Sequence, residues 1–253
     1  MFNPYELILK ARHYLIWRKY RLSRRELPAL EGGYGACGQD ILVAELLNNK
    51  RNGVFVDIGA NDGVTISNTY YFEKTLGWSG IAVEPIPGIY SKLKSNRSCI
   101  TINSCITTTP GKAKFLELDG NTNMLSTLAV NNNGLVARRL RKNASRHNTA
   151  IREIEVECLT FPMMIEKFGI DNIDFLSLDI EGGELDILKS IDFERTPVKI
   201  ISVENNYFRD DIRDYLEGKG FIYVGTFKVD EIYLYCGENL RKAATKMRCK
   251  PRK

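Results

Sequence analysis

At 253 residues, 43% of them hydrophobic, the chain suits one large α/β domain with short extensions. No stretch approaches the ~18 consecutive apolar residues of a membrane-spanning helix, so an integral helical membrane protein is excluded. The net charge of +5 is unevenly placed: residues 1–27 carry +5, residues 134–152 carry +6 and residues 241–253 carry +7. The rest is therefore an acidic body bearing three basic segments, a pattern that points to an anionic surface as a partner.

In chain order, residues 1–33 form a basic N-terminal extension. Leu7, Ile8, Ala11, Tyr14, Leu15 and Leu22 recur at helical spacing, with Arg18, Lys19, Arg21, Arg24 and Arg25 beside them. Such a helix docks on its own domain or meets lipid headgroups or nucleic acid. Glu6, Lys10 and Arg12 stand where a signal peptide needs an apolar run, so the expected location is cytoplasmic, with membrane-peripheral contact through the basic ends. The main domain is expected over residues 34–238, followed by a basic tail over 239–253. The six cysteines form no C-x-x-C pair and fit no zinc module, so reduced thiols are expected.

Asp40 is placed to cap a helix from Ile41 to Leu47. Val54–Ile58 is a short, β-branched apolar run, as expected of a strand buried on both faces of a parallel sheet. A helix is expected after Asp62. Gly80–Glu84 reads as the second strand, and Ile89–Asn96 as its helix with Pro87 near the first turn. Cys99–Ile106 reads as the third strand, and Lys114–Leu118 and Ile154–Cys158 as extra strands around an insert. That insert, residues 119–152, is expected to be mobile and to act as a lid. Thr160 can cap a helix running to Phe168. Ile173–Asp179 and Val198–Glu204 read as the fourth and fifth parallel strands, with helices over Glu184–Ile191 and Arg209–Lys219. Phe221–Gly225 and Ile232–Cys236 close the fold as a hairpin. Strand and helix in alternation predict a doubly wound, mostly parallel sheet with a C-terminal antiparallel hairpin. Ligands of such sheets bind beyond the carboxyl ends of the strands, at the switch point.

The turn leaving the first strand is Asp57-Ile58-Gly59-Ala60-Asn61-Asp62-Gly63. A dinucleotide site needs G-x-G-x-x-G so that a pyrophosphate can approach the backbone. Here Asn61 holds the middle position, and Val64 stands where the third glycine would be. A sulfonium cofactor has no pyrophosphate and tolerates side chains at this turn. Asp57 suits its ammonium, and backbone N–H groups suit its carboxylate. Glu84, ending the second strand, suits the two ribose hydroxyls.

These residues resemble those of the FkbM-type methyltransferases. The similarity runs in order through Gly38-Gln39-Asp40, Phe55–Gly63, Ser67-Asn68-Thr69, Gly77-Trp78-Ser79-Gly80, Val83-Glu84-Pro85 and Phe175-Leu176-Ser177-Leu178-Asp179-Ile180-Glu181-Gly182, and spans roughly residues 34–236. The resemblance implies a class I methyltransferase, Rossmann-like fold with S-adenosyl-L-methionine as cofactor. It also implies methylation of a hydroxyl or carboxyl oxygen on a sugar, glycan or other small acceptor. Where many class I methyltransferases place an acidic residue near the adenine, this chain has Asn103-Ser104-Cys105-Ile106, so adenine contacts fall to the backbone, Ser104 and Cys105.

The cofactor set expected from these readings is Asp57, Gly59, Ala60, Asn61, Asp62, Gly63, Glu84, Pro85, Ser104, Cys105 and Asp179. Methyl transfer to an alcohol also needs alignment and removal of a proton. Asp179, Glu181 and Glu204, at the ends of the fourth and fifth strands, are the expected catalytic residues, with Glu181 or Glu204 as base. A divalent cation such as Mg²⁺ on Asp179, Glu181, Glu204 and Asn205 is an alternative, since hard oxygens suit it. Two other readings stand beside this one, a non-catalytic binding protein that keeps the fold and an NAD(P)-dependent oxidoreductase. Nucleic acid is not the expected partner, because no Asn/Asp-Pro-Pro-Tyr-type motif is present.

Overall fold

The structure, a computed structural model, describes residues 26–118, 126–128, 134–206 and 209–237. The expected N-terminal helix and C-terminal tail lie outside the described residues, as do residues 119–125 and 129–133 of the insert. In chain order the elements are α1 (Gln39–Leu46), β1 (Val54–Ile58), α2 (Tyr70–Leu76), β2 (Ser79–Val83), α3 (Pro87–Asn96), β3 (Ile100–Ile102), β4 (Cys105–Thr107), β5 (Gly111–Leu118) and β6 (Thr127–Leu128). There follow α4 (Gly134–His147), β7 (Ile151–Thr160), α5 (Phe161–Phe168), β8 (Ile173–Leu178), α6 (Glu184–Ser190), β9 (Val198–Glu204), α7 (Asp210–Gly218), β10 (Phe221–Phe227) and β11 (Asp230–Tyr235).

The main sheet has the order β10-β11-β9-β8-β1-β2-β3. Its five strands from β9 to β3 run parallel, and β11 and β10 are antiparallel, giving the doubly wound, Rossmann-like sheet with a C-terminal hairpin. Strand β1 sits at the centre because its residues alternate between two apolar layers. Val56 and Ile58 enter one layer with Leu176 and Val203, while Phe55 enters the other with Phe72, Trp78 and Phe175. Full burial of each such side chain contributes about 1.5–3 kcal/mol. The sequence order reverses between β1 and β8, so the switch point lies where β1 ends at Ile58 and β8 at Leu178.

A second sheet, β4-β7-β5-β6, was foreseen only as extra strands. The expected single strand Cys99–Ile106 is in fact two. Ile102 closes the main sheet, and Cys105 opens the second by pairing with Cys158. The break is held by side chains: Asn103 Nδ2 donates to the carbonyls of Glu84 (2.9 Å) and Pro85 (3.0 Å), and Ser104 Oγ donates to that of Glu157 (2.8 Å).

Two other expectations are corrected. No helix starts directly after Asp62. Its carboxylate accepts from the N–H groups of Val64 (2.9 Å) and Thr65 (2.7 Å), and this side-chain turn competes with the helix, which begins only at Tyr70. Gly63 thus serves α3 rather than a helix start: at φ 79°, a Cβ there would meet Leu93 and Arg97. Asp40 does not cap α1 either, since Gly38 holds the cap position. Asp40 is buried in the first turn and accepts from Tyr34 N (2.7 Å) and Gly35 N (3.3 Å), pinning the preceding loop. By contrast, Thr160 caps α5 as expected, accepting from Met163 N at 3.3 Å.

Candidate active site

The carboxyl ends of β1, β2 and β8 open on a solvent-accessible cleft. The β1 turn forms one wall with Gly59 and Asn61, and the β2 end another with Glu84, Pro85 and Ile86. Ser104, Cys105, Phe115 and Ser126 of the second sheet and its leading loop, with Ile89 and Ile106, add a largely apolar floor. Asp179, Ile180 and Glu181 close the far side. Gly59 is required here: at φ 89° it lies against the carbonyl of Asp179, and any Cβ would overlap that oxygen. Donation from Gly59 N (3.0 Å) and Ala60 N (2.9 Å) to the Val83 carbonyl clamps the turn to β2.

Glu84 is buried, with both oxygens oriented by the main chain. Oε2 accepts from Asn61 N (3.1 Å) and Oε1 from Ile86 N (2.9 Å). Burial raises its pKa to about 7, Asp57 and Glu117 pushing the same way against the two N–H donors. Each oxygen keeps lone-pair capacity toward the cleft.

Asp57, by contrast, lies beneath the turn and is not part of the cleft lining. Thr69 Oγ1 donates to it at 2.6 Å, and buried Arg97 donates to Thr69 Oγ1 from both terminal nitrogens at 3.1 Å. Burial raises the Asp57 pKa, with Thr69 and Arg97 opposing. Ala60 packs against Ala82 and Leu93, and Asp62 and Gly63 hold the turn rather than line the cleft.

At the far side three carboxylates converge: one oxygen each from Asp179, Glu181 and Glu204 lie within 4.8 Å of one another. Glu181 adopts φ 57°, a left-handed conformation that is strained for a side-chain-bearing residue and is characteristic of functional sites. Its Oε2 accepts from Arg139 of α4 and from Asn206 Nδ2 (3.1 Å), and its carbonyl accepts from Thr127 Oγ1 (3.0 Å). Arg139 Nη2 also stands 3.8 Å from Glu204 Oε1. Glu204 is 6% exposed, and its Oε2 meets no hydrogen-bond donor among the described residues. Burial raises Glu181 and Glu204 each to about 8; the Asp179 charge adds to the rise at Glu181 and the Glu181 charge to that at Glu204, while Arg139 opposes both. The Asp179 carboxyl is pushed well above the usual range by burial and then by the Glu204 charge.

Asn205 does not join this group. Its amide bridges to the Arg209 backbone, accepting from N and donating to O, both at 2.9 Å. Arg139 is the participant that sequence reasoning missed. Residue type alone does not separate it from the other cations of the insert.

The sequence matches the family model for the methyltransferase FkbM domain over residues 57–223, about two thirds of the chain. The chain belongs to the methyltransferase FkbM domain family. Membership supports a methyltransferase and not the dehydrogenase alternative. No curated protein matches the chain.

Among solved structures, the FkbM-family chain is similar to the methyltransferase FkbM of Methylobacillus flagellatus KT. The identity is 12% and the TM-score 0.43, over 88% of this chain and 59% of that one. It is also similar to the precorrin-6y C5,15-methyltransferase of Geobacter metallireducens GS-15, at 12% identity and a TM-score of 0.43, covering 83% of this chain and 93% of that one. A protein in the NADB-Rossmann superfamily from Streptococcus agalactiae aligns over 83% of this chain and 72% of its own, at 16% identity and a TM-score of 0.40. No helix among the described residues is long and apolar enough to cross a membrane.

Proposed function

We propose that this protein is an S-adenosyl-L-methionine-dependent O-methyltransferase whose acceptor is a sugar, glycan or other small hydroxylated or carboxylated molecule. The observation that carries this reading is one cleft with two unlike acidic ends. A backbone-oriented carboxylate, Glu84, stands at one, and Asp179 and Glu181, with Glu204 beside them behind the cleft lining, stand at the other. The donor set fits the cofactor. Glu84 would accept from the two ribose hydroxyls, Ile86, Ile89, Ile106 and Phe115, which line the cleft, would enclose the adenine, and Ser104 and Cys105 would edge it. The Gly59–Asn61 turn would face the amino-acid end, and the acidic side would attract a positive sulfonium. When bound, the cofactor supplies an electrophilic methyl group.

The protein's own part is to align an oxygen for in-line attack and to receive its proton. Glu181 and Glu204, both near 8, are matched to that proton at neutral pH. Asp179, between the β1 turn and the cluster, positions the reacting groups. Arg139 brings the insert helix across the acidic end, as a lid would. The basic segments suit an anionic surface that presents the acceptor.

The test is transfer of an isotopically labelled methyl group from S-adenosyl-L-methionine into oligosaccharide and glycolipid pools. The expected result is label in an alkali-stable ether or, for a carboxyl acceptor, an alkali-labile ester. Saturable cofactor binding with no label in any pool would favour a binding protein that keeps the fold.

A further inference from the structure

We propose that Asp179, Glu181 and Glu204 form a divalent-cation site, and that Arg139 of the insert helix occupies its charge position when the cation is absent. Three side chains on two adjacent strand ends bring carboxylate oxygens within 4.8 Å of one another, a span that one ion can bridge. Four further observations point to a ligand rather than to a closed network.

Glu204 is 94% buried by side-chain exposure, yet its Oε2 meets no donor among the described residues. A buried carboxylate oxygen with no partner is costly, and a cation relieves that cost. In addition, one guanidinium faces three carboxyl groups, and it contacts only two of them. Arg139 is moreover held by a helix from the insert, not by the sheet that carries the cluster, and its side chain remains 30% exposed. The guanidinium can therefore withdraw with its helix while the carboxylates stay fixed. Finally, the cluster offers oxygen and neither imidazole nor thiolate, which selects Mg²⁺, Mn²⁺ or Ca²⁺ over Zn²⁺.

The site lies where the acceptor oxygen must sit if the proposed methyl transfer is right, so a cation here would both orient that oxygen and make it more acidic. Its role in catalysis rests on that reading, whereas cation binding does not.

The experiment uses the full chain without cofactor and titrates Mn²⁺ by electron paramagnetic resonance, with Mg²⁺ and Ca²⁺ as competitors. One saturable Mn²⁺ per chain, displaced by Mg²⁺, is expected. Glu204→Gln should weaken it more than about tenfold, and Arg139→Gln should tighten it because the competing guanidinium is gone. Circular dichroism of each variant reports folding. Should Glu204→Gln unfold, Arg139→Gln, which leaves all three ligands in place, still decides. No saturable binding in either the wild type or Arg139→Gln overturns the proposal, as does binding in folded Glu204→Gln equal to wild type. Unchanged or weaker binding in Arg139→Gln overturns the role given to Arg139. A parallel titration with S-adenosyl-L-methionine separates the two claims, since Mn²⁺ binding without cofactor binding would sink the methyltransferase reading and leave the cation site standing.

Discussion

The two acidic ends of the cleft differ in who satisfies them. Glu84 takes one N–H on each oxygen from the main chain, donors fixed by the β1 turn and the start of α3. The cluster of Asp179, Glu181 and Glu204 has few such donors and relies on side chains, chiefly Arg139 reaching across from a separate element. A carboxylate oriented by backbone is suited to binding, because its geometry does not change with conditions. A cluster that is under-compensated and reached by one cation from a separate element is suited to chemistry, because its protons and counter-charges can be exchanged.

This contrast makes the ends separable by mutation. At the cluster, Asp179→Asn should lower turnover by about 100-fold or more, the scale of a disrupted acid–base site, and should shift the melting midpoint little. Parallel steady-state kinetics and thermal melts check this. A variant that turns over normally would place Asp179 outside the chemistry. At the other end, Glu84→Ala should weaken S-adenosyl-L-methionine binding by about 1–3 kcal/mol, the scale for a lost charged acceptor. Turnover at saturating cofactor should change far less, and calorimetry combined with kinetics resolves the two. Unchanged affinity would break the comparison, since it would leave Glu84 with no binding role.

The smallest effect is in pH. Glu84 is raised from 4.5 to about 7, so its neutral form is the one that stabilises the free fold. That contribution is complete below pH 4.5 and is lost as pH rises through about 7. Cofactor binding needs the ionised form, so affinity should change in the opposite sense, falling by up to about tenfold per unit below that pKa. Melting curves and binding isotherms of the wild type and Glu84→Gln between pH 5 and 8, on the order of one measurement per half unit, test both signs. A wild type whose affinity is flat across this range would mean that Glu84 is ionised throughout.

How much of this was readable beforehand follows the range of the interactions. Val54–Ile58 and Val198–Glu204 were placed to the residue because buried parallel strands are written as continuous apolar runs. Gly59, Asn61 and Glu84 were found because a strand, a turn and a second strand end are close in sequence and constrained by backbone geometry. The helix expected after Asp62 was misplaced because a local Asx turn outcompetes helix initiation, and composition does not show which wins. The split of Cys99–Ile106 depends on Asn103 reaching back to Glu84 and Pro85, which an apolar run does not reveal. Arg139 meets Glu181 across 42 positions, from a segment whose charge pointed to an anionic partner and not to a carboxylate of its own domain. Asp57 carried the right residue type for a ligand contact, but Thr69 and Arg97 draw its carboxylate beneath the turn.

The central claim is that the cleft between the β1 turn and Glu84 holds the nucleoside of the methyl donor. A crystal structure of the full chain with S-adenosyl-L-homocysteine tests it most directly. The account predicts both ribose hydroxyls on the Glu84 carboxylate and the amino-acid end against Gly59–Asn61. A nucleoside bound elsewhere, or a cleft closed by the protein's own side chains with the ligand excluded, would contradict it.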